Sequence, residues 1–247
     1  MHLTIAHLYP STMSTYGDQG NVICLRQRAE WRGIMVSVEP VEIGAPLPKQ
    51  VHWYFFGGGQ DAAQAALAAD LREKATRIRE DVESGTPLLA ICGGYQLLGE
   101  SYSPFDAPII QGAGLFPVRT EASHDRMIGN LIISANGELQ LPKEQTIVGF
   151  ENHSGKTYLL EDAAASPLGQ VRQGNGNNGA DNTEGCLYHN AIGCYLHGSL
   201  LPKNPHLADW LLERACRLID PGFTLQPLDD TLEWQAHQAI LDRYHVS

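Results

Sequence analysis

The sequence predicts an α/β fold with an open, mostly parallel sheet that carries helices on both faces. The chain has 247 residues, of which 43% are hydrophobic, enough for one large domain around a buried sheet. In the first half, short apolar runs alternate with helix-compatible stretches. Their connections are short, as in parallel sheets whose crossovers are helices.

The first half predicts the element order β-α-β-β-α-β-α. Gly33 ends the first helix and Gly57–Gly59 close the third strand, both places where glycine is favoured. A composition rich in Ala, Leu, Arg and Glu makes the second helix long and amphipathic. The predicted strands are residues 3–9, 34–42, 51–56 and 87–91, and the predicted helices are residues 21–32, 61–83 and the stretch after Cys92.

The second half is richer in strands. Residues 173–184, which are rich in Gly and Asn, predict a turn-forming, mobile loop. We expect a single domain over residues 1–247, with residues 219–247 as no more than a C-terminal helical extension. The predicted strands are residues 113–118, 131–133, 146–150, 168–172, 185–188 and 191–196, and the predicted helices are residues 206–218 and 230–244.

Charge and cysteine content exclude several classes of protein. A formal net charge of -11 argues against a nucleic-acid binder, which needs a basic face. Five cysteines without CxxC spacing argue against a disulfide framework or a zinc site and favour a reducing cytoplasm. No stretch approaches the roughly 20 apolar residues of a membrane span, and the N-terminus lacks signal-peptide features. We therefore expect a cytoplasmic protein with no metal site and no direct membrane insertion.

Two glycine patterns resemble nucleotide-binding motifs but lack their context. Residues 174–179 match GxGxxG, yet no apolar strand precedes them and no helix follows. Gly155-Lys156-Thr157 resembles the end of a phosphate loop, but Gly149 lies one position too far upstream. We expect no ATP site in this chain.

Cys92 is the strongest candidate for a catalytic residue. The apolar residues 87–91 end at Cys92, and Gly93 and Gly94 follow before a helix-compatible stretch. A sharp strand-to-helix turn exposes a nucleophile, and the N–H groups and dipole of the new helix stabilise a thiolate. The pattern predicts a cysteine nucleophile.

A cysteine nucleophile needs a base and an oxyanion hole. His197 is the first candidate for the base because it ends the apolar strand 191–196, and His153 is the second. Candidates for the oxyanion hole are the N–H of Gly93 and an N–H of the Gly57–Gly59 turn, since glycine lets the backbone approach a substrate closely.

In combination, these motifs resemble class I glutamine amidotransferases, which have a flavodoxin-like fold. Two further segments, residues 195–205 and 149–155, are similar to the cobyric acid synthase-like (CobB/CobQ-type) branch. Leu8-Tyr9-Pro10 and Tyr-Gly-Asp-Gln-Gly-Asn at residues 16–21 resemble the glutaminase subunits of lipid II isoglutaminyl synthases. The resemblance covers residues 3–212.

The resemblance implies hydrolysis of L-glutamine to glutamate and ammonia by Cys92 and His197. Gly58 and Gly93 would hold the oxyanion. Arg126 would bind the α-carboxylate of glutamine through a bidentate contact, and Gln96 would help to seat the substrate.

The resemblance also implies a heterodimer. A Mur ligase-like synthetase subunit would bind ATP and Mg and use the ammonia to amidate D-glutamate of the lipid II stem peptide to D-isoglutamine, a step of peptidoglycan biosynthesis. This chain would need no cofactor, and it would meet lipid II at the inner membrane face only through that partner.

One departure from the triad-type pattern stands out. Most triad-type amidotransferases carry a glutamate two positions after the histidine, where this chain has Ser199. The cobyric acid synthase-like branch, which this chain resembles, shares the absence. No acid of the chain is an evident replacement, which suggests that the partner supplies the acid or that it is dispensable. Two alternatives stay open: the amidotransferase component of a cobalamin-pathway (cobyrinate or cobyrate) amidase, and a non-catalytic binding module on the same fold.

Overall fold

The computed structural model describes residues 1–14, 17–59, 61–141, 145–162 and 164–246, and for residues 61–66 only the backbone. The α-helices are α1 Gln19–Glu30, α2 Asp61–Glu83, α3 Gly93–Leu98, α4 Pro205–Arg217 and α5 Thr231–Tyr244. Two short 3₁₀ helices are Gly137–Leu139 and Leu201–Lys203. The strands are β1 His2–Leu8, β2 Met35–Val41, β3 Trp53–Phe56, β4 Leu88–Ile91, β5 Ser101–Ser103, β6 Ile110–Gln111, β7 Val118–Glu121, β8 Met127–Ala135, β9 Thr146–His153, β10 Lys156–Leu159, β11 Ala165–Ser166, β12 Gly169–Gln173, β13 Thr183–Glu184, β14 Cys186–Tyr188 and β15 Ala191–Cys194.

A seven-stranded sheet forms the centre of the molecule, with strand order β11-β14-β15-β4-β3-β1-β2. The five strands from β15 to β2 are parallel, whereas β14 and β11 continue the sheet in antiparallel pairing. Strands β3 and β4 are buried along their whole length, as strands covered on both faces must be. The predicted open, mostly parallel sheet is confirmed.

The strand order brings three chain segments to one edge of this sheet. Strand β4 lies between β3 and β15, and all three run in the same direction. Cys92 follows β4, Gly57 follows β3, and the segment with His197 follows β15. Because the carboxyl ends of adjacent parallel strands meet at the same edge, the candidate residues converge there.

Two four-stranded sheets account for most of the second half, in the orders β10-β7-β5-β6 and β13-β12-β8-β9. The predicted strand over residues 113–118 is wrong, since the strand there is Val118–Glu121. The two-residue strands β6, β11 and β13 were not predicted because they are too short for a hydrophobic period to show.

The Gly- and Asn-rich segment is turn-rich, as predicted, and its central residues are packed into the molecule. Asn177 and Glu184 are fully buried, and Asn178 is 3% exposed. The Asn177 side chain bonds both polar groups of the Gly185 peptide backbone, its N–H at 3.0 Å and its carbonyl at 3.0 Å. Asparagine amides therefore satisfy buried backbone groups here.

Helix α5, in the last 30 residues, packs on the back of the β8–β9 pair. Leu241 forms a small apolar cluster with Ile132 and Val148. His237 Nδ1 donates to the Lys203 carbonyl at 2.9 Å, and His237 Nε2 lies 2.8 Å from Thr146 Oγ1. The division of the chain at residue 219 stays a prediction. Within the described residues, the helices are all too short or too polar to cross a membrane.

Candidate active site

Cys92 occupies a strained turn between β4 and α3. Its backbone angles are φ 49° and ψ -106°, and positive φ is uncommon for a residue with a Cβ. The Cys92 N–H donates to the Cys194 carbonyl at 2.8 Å, which ties the turn to the neighbouring strand. The side chain is 8% exposed at the start of the helix. This is the predicted nucleophile turn.

His197 contacts Cys92, and Asp18 contacts Nδ1 of the His197 ring. The two Asp18 carboxylate oxygens lie 3.1 and 3.2 Å from His197 Nδ1, and both side chains are almost fully buried. Burial lowers the pKa of His197, but hydrogen bonds and charge from Asp18 and Cys92 raise it more, to about 10. His197 is therefore protonated at neutral pH, with its imidazolium beside Cys92.

The prediction that no acid of this chain orients His197 is wrong. Asp18 does so, and a carboxylate from a partner is not required for this contact. Asp18 was missed because 179 residues separate it from His197 and it lies in a polar loop before α1. The motif at residues 16–21, which contains Asp18, could have indicated this acid, but it was used only for the resemblance. Its first residue, Tyr16, lies outside the described residues.

The N-terminus of α1 is clamped to the segment that carries His197. A Cβ on Gly20 would lie 2.1 Å from Ser199 Oγ, so only glycine permits this approach. The Asn21 side chain accepts from the Leu201 N–H at 2.9 Å. Ser199, at the position of the glutamate in other relatives, donates to the Gly17 carbonyl at 3.2 Å. The motif therefore supplies both the acid and the contacts that place it.

Asn204 holds the other end of this segment. Its carboxamide accepts from the Val148 N–H at 2.9 Å and donates to the carbonyls of Val148 and Leu200, each at 2.7 Å. The Asn204 side chain is fully buried. Together with the backbone pairing of Phe150 and His197, it fixes the loop from residue 197 to residue 204 on β9.

Gly58, a predicted donor of the oxyanion hole, lies beside Cys92 and His197, but its N–H donates to Asp18. A Cβ on Gly58 would lie 2.8 Å from His197 Cε1 and 3.3 Å from Cys92 Cβ. The Gly58 N–H donates to Asp18 Oδ2 at 2.9 Å. Gly93, the other oxyanion candidate, begins α3 directly after Cys92. An oxyanion hole that uses Gly58 must therefore form by exchange of this hydrogen bond.

The remaining predicted site residues make contacts with other parts of the chain. Gln96 is buried one helical turn after Cys92 and donates from Nε2 to the Tyr195 hydroxyl at 3.1 Å. Arg126 is exposed and donates to the Asn152 side chain on β9. His153, the second candidate base, stacks on the Tyr195 ring at 3.6 Å and contacts the Gly155 carbonyl through Nδ1. His197, and not His153, is the histidine that contacts Cys92.

Comparisons with known proteins agree with this geometry. The model of the CobB/CobQ-like glutamine amidotransferase domain matches residues 4–205. The chain is 40% identical to the glutamine-hydrolysing subunit GatD of the lipid II isoglutaminyl synthase of Staphylococcus aureus, over 98% of this chain and 97% of that one. For the corresponding Streptococcus pneumoniae subunit, identity is 40% over 87% and 81%. A cobyric acid synthase from Photorhabdus laumondii is 34% identical over 47% of this chain and 24% of its own length.

Solved structures support the fold at low sequence identity. PurLQS from Thermotoga maritima has a TM-score of 0.58 at 15% identity, covering 98% of this chain and 100% of that one. A glutamine amidotransferase from the same organism has a TM-score of 0.55 at 14% identity, covering 100% and 96%. The family match extends over most of the chain and includes Asp18, Cys92 and His197. This chain therefore belongs to the CobB/CobQ-like glutamine amidotransferase domain family.

Proposed function

We propose that this chain is the glutamine-hydrolysing subunit of a lipid II isoglutaminyl synthase. The observation that carries the proposal is the 40% identity to such a subunit over nearly the full length of both chains. The cluster of Cys92, His197 and Asp18 supports the glutaminase half of this function. The similarity to cobyric acid synthases covers about half of the chain, so the cobalamin-pathway alternative has weaker support.

The reaction begins with attack of the Cys92 thiolate on the carboxamide carbon of glutamine. His197, as imidazolium, gives its proton to the leaving amide nitrogen, and ammonia departs from the γ-glutamyl thioester. The imidazole, now neutral, takes a proton from water as the water attacks the thioester. Glutamate leaves, and the thiolate–imidazolium pair is restored.

Backbone groups stabilise the negative charge on the substrate oxygen. The Gly93 N–H is one donor, and the Gly58 N–H is the other after it leaves Asp18. Asp18 keeps its contact with His197 Nδ1 throughout, which fixes the tautomer and orientation of the ring. Arg126 binds the α-carboxylate of glutamine, and Gln96 helps to seat it.

The ammonia is consumed by a Mur ligase-like synthetase subunit that binds ATP and Mg. That subunit amidates D-glutamate of lipid II to D-isoglutamine at the inner membrane face, and this chain stays cytoplasmic and reaches lipid II only through it. The glutaminase chain itself needs no cofactor for the chemistry described.

A reconstitution assay tests this proposal. The chain is purified with its captured partner, and glutamine-dependent amidation of lipid II is measured for wild type, Cys92→Ser and Cys24→Ser. Cys24 is a half-buried free cysteine on α1 and serves as the control. We expect Cys92→Ser to abolish the use of glutamine while free ammonia still supports amidation. Use of glutamine by Cys92→Ser would refute the proposal.

Alkylation by iodoacetamide tests the non-catalytic alternative. A thiolate paired with imidazolium reacts well below about pH 8, whereas an unactivated buried thiol does not. Fast, Cys92-specific alkylation at neutral pH is expected. Its absence would favour a binding module.

A further inference from the structure

A buried chain of hydroxyl groups leads away from Gln96. Gln96 Nε2 donates to the Tyr195 hydroxyl at 3.1 Å, and the Tyr195 oxygen lies 2.6 Å from Thr157 Oγ1. Thr157 Oγ1 lies 2.7 Å from Thr120 Oγ1. The exposed fractions of these four residues range from 0% to 5%. Water cannot replace these partners, so each hydroxyl depends on the next for its hydrogen bonds.

The Gly- and Asn-rich loop holds Thr157 in place. The Thr157 N–H donates to the Asn177 carbonyl at 2.8 Å, and the Asn178 side chain donates to the Thr157 carbonyl at 3.0 Å. This loop, which contains the GxGxxG pattern, thus fixes β10 at Thr157, the residue that contacts the Tyr195 hydroxyl.

Tyr195 is also fixed from two other directions. The His153 ring stacks on it with an interplanar angle of 6°, and the Tyr195 N–H donates to Glu184 Oε1 at 2.6 Å. Burial raises the pKa of Tyr195, so its hydroxyl stays protonated and can accept and donate at once. A hydroxyl held this tightly gives the Gln96 carboxamide one preferred orientation.

We propose that Tyr195, held by Thr157, is a positioning residue that orients Gln96 for glutamine binding. The inference rests on the proposed function, in which Gln96 seats the substrate. Gln96 would contact glutamine equally in the ground state and in the transition state, so its misplacement raises KM and leaves kcat nearly unchanged. The Cys92–His197 pair is not part of this hydroxyl chain, so the reactivity of the thiolate is preserved.

Four variants separate this role from a structural one. Tyr195→Phe and Thr157→Val each remove a hydroxyl from the chain at nearly constant volume, and Thr157→Ser retains it. Tyr54→Phe is the matched control, because Tyr54 is also fully buried but its hydroxyl donates to Asp81 Oδ2 at 2.6 Å, outside this hydroxyl chain. The readouts are KM and kcat for glutamine hydrolysis, the rate of iodoacetamide alkylation of Cys92, and Tm.

We expect Tyr195→Phe and Thr157→Val to raise KM by roughly three- to tenfold, the loss of one net hydrogen bond. The alkylation rate and kcat should stay near wild type, as should KM for Thr157→Ser and Tyr54→Phe. A loss of kcat at unchanged KM, or an equal rise of KM in Tyr54→Phe, would overturn the inference. If Tyr195→Phe does not fold, the contrast between Thr157→Val and Thr157→Ser decides.

The same data distinguish the two proposals. If the wild-type chain, with and without its captured partner, does not hydrolyse glutamine, the proposed function fails. If the wild type is active and both hydroxyl-deleted variants have its KM, only the role of Tyr195 is wrong.

Discussion

At the scale of single residues, Asp18 contacts two parts of the site at once. Its carboxylate accepts from the Gly58 N–H and also contacts His197 Nδ1. The first contact holds the peptide that we propose for the oxyanion hole, and the second holds the proposed base. A carboxylate in this place allows Ser199 to stand where other relatives carry the acid, because the imidazole needs one anionic partner only.

We expect Asp18→Asn to lower kcat by roughly 10²- to 10⁴-fold, the range over which loss of an orienting carboxylate acts in comparable catalytic sites. Asp18 raises the pKa of His197, so its removal makes the imidazolium less stable. Alkylation of Cys92 by iodoacetamide should therefore require a higher pH in the variant than in wild type. An unchanged pH profile would show that Asp18 does not act on the thiolate–imidazolium pair. Tm measured in parallel controls for loss of folding.

From the sequence, site residues could be predicted where they follow an apolar strand. Cys92, Gly58 and His197 each follow an apolar strand, and parallel strands bring such ends together. Asp18 does not directly follow an apolar strand. It lies just before α1, and only the tertiary structure places it at this edge of the sheet. The partner of the Gly58 N–H was equally hidden, since it is a tertiary contact that local pattern does not encode.

At the scale of elements, the main determinant of the site is the segment between β15 and α4. Asn21 holds it from α1 and Asn204 holds it from β9. The elements of the first half were predicted to within two residues at most of their ends because runs such as residues 61–83 span many helical turns. Strands such as β6 have two residues and form only because β5 is placed beside them, so the sequence carries little signal for them.

Asn204→Ala is expected to destabilise the fold by about 1–3 kcal/mol, because it leaves buried groups of Val148 and Leu200 without their partner. Glutaminase activity should fall as well, since the variant loosens the segment that carries His197. Asn130→Ala is the control: its side chain makes a bond of 3.0 Å to the Tyr244 hydroxyl at a half-buried position on β8. Urea unfolding and glutamine hydrolysis check both variants. Equal effects of the two substitutions would contradict the role given to Asn204.

At the scale of the whole molecule, two buried carboxylates lie in and beside the sheet of β8, β9, β12 and β13, and one of them, Glu184, joins this sheet to the segment after β15 of the central sheet. Burial raises the pKa of Glu151, but the nearby His153 ring and hydrogen bonds from Asn175 and Gly176 lower it more, so this residue stays ionised. Glu184 on β13 accepts from the Tyr195 N–H, and burial raises its pKa to about 8. The number of donors decides which of the two carries charge.

Glu184 should make the stability of the whole fold depend on pH. Its pKa is higher in the folded chain than the ordinary value of 4.5, so the folded state binds this proton more tightly than the unfolded state does. The stabilisation is fully present below about pH 4.5 and is lost as the pH rises to about 8. Glu184→Gln keeps an acceptor for the Tyr195 N–H and cannot ionise, so we expect it to lose less stability than wild type over this range. Urea unfolding at several pH values measures the difference between the two curves. Parallel curves would mean that Glu184 is ionised in the folded protein and that another group compensates its charge.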